Sequence, residues 1–508
     1  MSEAREVVVD RTPPQVLLRQ PSPGAQQVSV HEPIGVTFSE SIDPAVVTDS
    51  QVHLLLQTSG SPIELAKTLS LSSGGTELTI TPSSQPNAPN EFSVNLSALR
   101  DRAGNAVADS GTWNWKYPAW LPMGGSLSHF ADEGSAVSSP AESPALTLDS
   151  RGNPVVAWLE RPPTRQSFSE AHVFVQRWNG TSWQGVGDAV SGSWTIVFAG
   201  PPALAVDSTD RPVVAWYSVG GAFVYISRWE GQWQETGRLS NGLIAAAVAS
   251  KPSLQLDGAG NPMVIWAQHD GYASFPPPTS DAYFGLWTGT DWALSGKLQA
   301  RTESQTSVLD AVVSFGSAAQ PIAAWSESNG TYSDLYVGRV STGGWSPIGG
   351  ALSAKPGTTG VRKPSLQVGP TGAPMVAWLE DDEGGTSRNL YVRRWSGTAW
   401  EPLGEGINAN PAISGIDDPV LAADASGDPI VAWTGKDGNT TNIYVHHWAD
   451  GQWVPVGGPL SANPGATGAA HPSLHLSPDG VPIVAWDEAE ESPPSRPVRH
   501  VYVYRLNR

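Results

Sequence analysis

Two residues beyond a tryptophan that recurs along the chain stand Glu160, Ser218, Gln268, Glu327, Glu380, Gly435 and Glu488. Four of the seven are carboxylates. Carboxylates repeated at one height of a cyclic structure could hold calcium or accept hydrogen bonds from sugar hydroxyls. The competing reading is a solvated strand end, where Glu keeps a rim soluble. Histidines are the second group able to do chemistry. His129, His172, His269, His471 and His500 map to one side of the repeat, where His269 with Tyr272, or His500 with Arg499, could take part in proton transfer. No His-x-x-x-His spacing marks a metal site, no Ser or Thr sits in a nucleophile elbow, and no phosphate-cradling glycine loop follows a strand. The candidate ligand-binding set is therefore Glu160, Gln268, His269, Tyr272, Glu327, Glu380, His471, Glu488 and His500. No catalytic residue is assigned, and no cofactor is expected other than calcium at the carboxylates.

The recurring tryptophan belongs to a Pro-x-x-x-Trp strand. It occurs at Pro154/Trp158, Pro212/Trp216, Pro262/Trp266, Pro321/Trp325, Pro374/Trp378, Pro429/Trp433 and Pro482/Trp486. Successive copies are about fifty to sixty residues apart, the length of one four-stranded propeller blade. Within a copy, a first strand such as Pro252-Ser-Leu-Gln-Leu leads through the turn Asp257-Gly-Ala-Gly-Asn261 into the Pro-x-x-x-Trp strand. Proline is tolerated there because its missing N–H sits at the strand start. A third strand follows (Leu390-Tyr-Val-Arg-Arg-Trp395), and a fourth opens on Trp183, Trp233, Trp292, Trp345, Trp400 or Trp453, each with glycine four residues on. The last copy lacks its fourth strand. Upstream, Trp120-Leu-Pro-Met-Gly124 matches Trp453-Val-Pro-Val-Gly457, so residues 119–128 are predicted to complete the last blade, closing a seven-bladed ring without open edges. The repeated tryptophans read as core, since burying one contributes at most about 4–6 kcal/mol.

This layout gives two unlike faces. Turns joining first to second and third to fourth strands are short, as in Asp149-Ser-Arg-Gly-Asn153, and there the repeated Asp and the third-strand Arg177, Arg228, Arg339, Arg394 and Arg505 read as turn clamps. On the other face lie the long, dissimilar connections 160–171, 191–200, 268–281, 380–388 and 488–499. Variable loops on a rigid scaffold are where binding is expected.

Composition narrows the partners. A net charge of −19 with 29 Lys and Arg argues against nucleic acid or anionic lipid. There is no cysteine, so compartment cannot be read from redox chemistry. No apolar run is long enough to span a membrane, so no membrane insertion is expected. The start Met1-Ser-Glu-Ala-Arg is not a signal peptide, which leaves a cytoplasmic protein or one whose leader has been removed. A monomer is expected.

Residues 13–117 carry short alternating runs, among them Gly35-Val-Thr-Phe, Thr76-Glu-Leu-Thr-Ile-Thr and Glu91-Phe-Ser-Val-Asn-Leu, between Gly, Pro and Asp turns. That pattern predicts a seven-stranded sandwich. Pro21-Ser-Pro-Gly24, Val36-Thr-Phe-Ser-Glu-Ser-Ile-Asp43 and Leu99-Arg-Asp-Arg-Ala-Gly-Asn105 resemble the bacterial Ig-like domains of S-layer and other surface proteins. The resemblance implies an extracellular or cell-surface protein in which this domain is a spacer. The repeat array resembles the seven-bladed propeller group with lectin-like, kelch-like and sialidase-like members. The sialidase Asp box places Trp five residues after Asp, whereas Asp149, Asp207, Asp257 and Asp424 precede their tryptophans by nine, so that motif is absent. Fold likeness alone carries no activity across.

The expected architecture is all-β: residues 1–12 disordered, an Ig-like sandwich over 13–117 and a seven-bladed propeller over 118–508. The leading functional expectation is a non-catalytic recognition or adhesion protein whose long-loop face binds a glycan or protein. The alternative is a polysaccharide lyase or glycosidase using the same face; some propeller lyases employ His, Tyr and Arg in this way. A third is a structural surface component. A deep pocket lined by titratable groups would favour the enzyme, and a shallow aromatic surface the binder.

Overall fold

The computed structural model describes residues 10–58, 60–84, 89–108, 112–130, 140–162, 171–190, 199–218, 223–240, 251–269, 279–302, 306–316, 320–381, 388–407, 413–465, 468–489 and 498–508. The described residues are all-β apart from one 3-10 turn at Pro44–Val46. They divide into two units, Met1–Leu121 with Leu506–Arg508, and Pro122–Arg505. No described helix is long and apolar enough to cross a membrane.

The first unit is a sandwich of two four-stranded sheets. One sheet orders Val16–Gln20, Ile34–Phe38, Glu77–Pro82 and Lys67–Leu71; the other orders Ile63–Glu64, His53–Gln57, Asn90–Asn95 and Trp113–Tyr117. Alternation drives it: Ile34, Val36 and Phe38 are buried while Gly35 and Thr37 are not. The inner residues meet around Leu54, Phe92, Val94, Trp113 and Trp115. Eight strands appear where the alternating runs predict seven, because the two-residue ribbon Ile63–Glu64 pairs with His53–Gln57. Its shortness hides it from a periodicity reading.

The second unit holds seven four-stranded sheets, spanning 141–185, 203–239, 253–294, 307–347, 361–402, 413–455 and 469–506, the last completed by Trp120–Pro122. Every Pro-x-x-x-Trp strand is its sheet's second strand and is buried along nearly its whole length, as in Pro154–Glu160. A continuous apolar run suits a strand covered on both faces. Neighbouring sheets supply that cover. Trp325 packs on Met263 and Ile265 of the preceding sheet, Trp378 on Ile322 and Val337, and Trp158 on Ile483, Ala485, Val501 and Val503 of the seventh. The first sheet therefore meets the last through the contact used at the other joints.

A second latch repeats at six of the seven junctions among the described residues. The fourth-strand indoles donate Nε1–H to backbone carbonyls of the preceding sheet: Trp233 to Val186 at 3.0 Å, Trp292 to Thr236 at 2.9 Å, Trp400 to Ile348 at 2.7 Å and Trp453 to Leu403 at 2.8 Å. Trp183 donates to Met123 at 2.5 Å, so the upstream segment serves as the missing fourth strand for this bond too. Met123 and Leu127 N–H groups bond Val503 and Val501 carbonyls at 2.8 and 2.7 Å. At Gly187, four residues after Trp183, glycine is sterically required. Gly187 has φ +68°, and a Cβ there would lie 2.4 Å from the Trp229 ring. On the short-turn face, Asp149 Oδ1 accepts from Arg151 N and Asn153 N at 3.0 and 2.8 Å. The third-strand arginines mostly reach the next sheet's turn: Arg177 bonds the Asp210 carbonyl and Arg394 the Gly427 carbonyl.

Candidate functional site

The rim carboxylates turn inward. Glu160, Gln268, Glu327 and Glu488 are fully buried and Glu380 is 1% exposed. Each accepts the indole N–H of the tryptophan two residues earlier: Trp158 at 2.7 Å, Trp266 at 3.0 Å, Trp325 at 3.3 Å, Trp378 at 2.9 Å and Trp486 at 2.8 Å. The four glutamates also bind backbone N–H groups of the connection leaving the preceding sheet. Glu160 takes His129 and Phe130, Glu327 takes Ala300 and Arg301, Glu380 takes Ala354 and Lys355, and Glu488 takes Ala462 and Asn463. Their oxygens face these donors, not the channel, so they do not form the exposed calcium- or sugar-binding ring that their spacing suggests. They fasten one sheet to the next.

Of the other candidates, His269 ends the strand Pro262–His269 and His500 is buried opposite Glu488 in register. Tyr272 and the connecting segments 163–170, 191–198, 270–278, 382–387 and 490–497 lie outside the described residues. His471 stands at the mouth of a central channel, where the strongest constellation of the molecule gathers.

That channel, with a volume of about 780 Å³, is lined by the first strands of all seven sheets. At equivalent positions, two residues before the partner of the residue preceding each buried tryptophan, stand Ser143, Pro201, Lys251, Asp310, Lys363, Asp418 and His471, all lining the channel. They lie on the long-loop side, where first strands begin. The next residue is Pro144, Pro202, Pro252, Pro364, Pro419 or Pro472, with Ala311 as the exception. Strand pairing breaks at bulges here in the first, fifth, sixth and seventh sheets. Ser143, Lys363, Asp418 and His471 consequently sit at φ +55°, +49°, +48° and +52°. Non-glycine residues in this region cost of order 1–3 kcal/mol each and persist where the surroundings impose them.

Charges interlock across neighbouring sheets. Lys363 Nζ lies 2.6 Å from Asp418 Oδ1 and 2.8 Å from Asp417 Oδ1, while Asp310 Oδ2 accepts the Lys363 backbone N–H at 3.1 Å. His471 Nδ1 is 2.7 Å from Asp487 Oδ1, whose other oxygen meets Arg499 Nε at 2.5 Å, and His471 Nε2 is 4.0 Å from Asp418 Oδ2. Arg499 thus joins His471 through Asp487. Burial pushes the Asp310 carboxyl above its ordinary pKa, overcoming the pull of the Lys363 N–H and the nearby cations, and Asp418 adds to the rise. Burial also lowers Lys251, partly offset by Asp418. Burial opposes protonation of His471 and Lys363 as well, but Asp487 wins at His471 and Asp418 with Asp417 at Lys363, so both pKa values rise.

Asp487 and the pre-proline ring were missed by reading the Trp-plus-two column. Asp487 occupies a column otherwise filled by Leu159, Tyr217, Ala267, Ser326, Leu379 and Thr434. An ionisable group there is a legible signal. The ring residues had one as well: a varied, mostly polar residue directly before a repeated proline.

Comparison with known proteins follows the two units. A model of the bacterial Ig-like domain matches residues 10–117. No curated protein matches the chain. Among solved structures, an ulvan lyase of a new polysaccharide lyase family, bound to -[GlcA(1-4)Rha3S]-, is 13% identical over 73% of this chain and 95% of its own, with a TM-score of 0.50. A Penicillium chrysogenum α-L-arabinanase complexed with arabinobiose is 13% identical over 76% of this chain and 97% of its own, at 0.40. A Dyadobacter fermentans DSM 18053 protein of unknown function is 12% identical over 73% and 95%, at 0.42. At such identities the likeness concerns fold alone. The chain is thus similar to a bacterial Ig-like domain in its first unit and to propeller-type proteins in its second.

Proposed function

We propose that this protein is an extracellular, glycan-cleaving enzyme whose site is the mouth of the central channel. The observation that carries the reading is the gathering of Lys251, Asp310, Lys363, Asp418 and His471, the last two and Lys363 on strained, bulged first strands, in a deep channel and not on a shallow aromatic surface. Within it, Asp310 has its carboxyl held toward the protonated form, while Asp418 lies in an ion pair with Lys363. Carboxyl groups whose environments differ in this way suit opposite acid–base roles. In hydrolysis, Asp310 gives its proton to the glycosidic oxygen as the C–O bond breaks. Water attacks the anomeric carbon and loses its proton to Asp418, after which solvent restores both groups. Fold likeness to a structure named as an ulvan lyase supports a glycan as substrate by analogy. The Ig-like match at residues 10–117 supports an exported, surface-facing setting.

Elimination is a second reading, favoured by the His471–Asp487–Arg499 chain. There His471 would take the proton next to a uronate carboxyl group. Incubation with a polysaccharide panel, reading reducing ends together with the ultraviolet absorbance of unsaturated uronate, separates the two. New reducing ends without unsaturation are expected, with D310N slower by about a hundredfold or more. Binding of a glycan without any new ends, or full activity in D310N, would overturn the enzymatic reading.

A further inference from the structure

We infer that Lys251 forms an anion-reading subsite, so that the glycan taken at the channel mouth carries a carboxylate or sulfate group. The inference rests on the channel mouth being a glycan site. Other cations of the propeller unit's ring and of the strands pairing with it have a protein partner. Lys363 is held by Asp417 and Asp418, Arg362 and Arg388 by Asp381, and His471 and Arg499 by Asp487. Among the described residues, Lys251 has no ion pair or hydrogen bond. It lines the channel as an exposed residue, and the protein packed about it lowers its pKa.

Lys251 keeps the part of its desolvation penalty that Asp418 does not offset, and an arriving carboxylate or sulfate removes that remainder while forming a charge-assisted hydrogen bond. A neutral sugar hydroxyl offers less. The rest of the chain is acidic, with a net charge of −19, so attraction for an anion has to be local, as it is at Lys251.

The test uses the full chain carrying D310N, so that bound substrate is not consumed, with oligogalacturonate and its carboxyl-reduced neutral form as paired probes and inorganic sulfate as competitor. Calorimetry should show the acidic oligomer binding at least about tenfold more tightly than the neutral one. K251M should erase that difference, K251R should keep most of it, and sulfate should compete only when Lys251 is present. K251M should unfold at no lower denaturant than its parent, since it removes an unpaired cation. Equal binding of acidic and neutral oligomers, or an acid preference untouched by K251M, would overturn the inference and leave the glycan site standing. Failure of every panel glycan and both oligomers to bind would remove the underlying site, and the inference with it.

Discussion

Glu380 offers the sharpest check on how the sheets are joined. Its carboxylate accepts from Trp378 Nε1 at 2.9 Å, Ala354 N at 2.7 Å, Lys355 N at 2.9 Å, Ser353 Oγ at 2.8 Å and Thr359 Oγ1 at 2.5 Å, all with 1% of the residue exposed. E380A would strand two N–H donors that have no rotor to turn elsewhere, Trp378 Nε1 and Ala354 N, while Lys355 N keeps Ser353 Oγ at 3.0 Å. At about 1–3 kcal/mol for each buried donor, and with some water entering the space, a loss of about 3–5 kcal/mol is expected. E380Q keeps one acceptor oxygen, as Gln268 does naturally for Trp266, and should cost about 1–2 kcal/mol.

The same bonds make the effect pH-dependent. Burial alone would raise the Glu380 pKa, but the Thr359, Ala354, Trp378 and Ser353 donors outweigh it and hold the value below 4.5. A depressed folded pKa adds stability above the unfolded value, lost as pH falls through the folded one. The gap between wild type and E380Q should therefore be full near neutrality and close in acid. Urea unfolding followed by tryptophan fluorescence across pH measures both parts. A loss under about 1 kcal/mol for E380A, or a gap that widens in acid, would refute the clamp.

Removing residues 1–128 deletes the Trp120–Pro122 strand and the Met123 carbonyl that receives Trp183. It should destabilise the propeller unit by more than about 4 kcal/mol, whereas removal of 1–117 should not; equal unfolding midpoints for the two would contradict this. H471N suits the left-handed backbone at this position, where φ is +52°. Since the folded pKa of His471 is raised above 6.5, its contribution is full below that pH and fades as pH rises through the folded value. The stability gap to H471N should thus shrink toward alkaline pH in chemical denaturation, and a growing gap would dismiss the Asp487 pairing.

The sequence alone carries the all-β class, the sandwich ahead of the repeat, the tryptophan core and the upstream strand that completes the last sheet. These depend on local periodicity, on proline and glycine geometry, and on a repeat whose copies each describe the same unit. Trp120-Leu-Pro-Met-Gly124 could be matched to Trp453-Val-Pro-Val-Gly457 by inspection because both strands meet the same neighbours. The role of Glu160, Glu327, Glu380 and Glu488 could not be found that way. A carboxylate two residues beyond a strand tryptophan looks alike whether it faces water or the N–H groups of another sheet. Its donors come from about 25 to 30 residues earlier in the chain, delivered by the packing of one sheet against the next. The channel ring was hidden for the same reason. Lys251, Asp310, Lys363, Asp418 and His471 are far apart in sequence and share one mouth only because seven first strands face a common axis. Composition and spacing determine which strands form. Which side chains share a low-dielectric space, and so which charges shift, is decided when those strands are packed together.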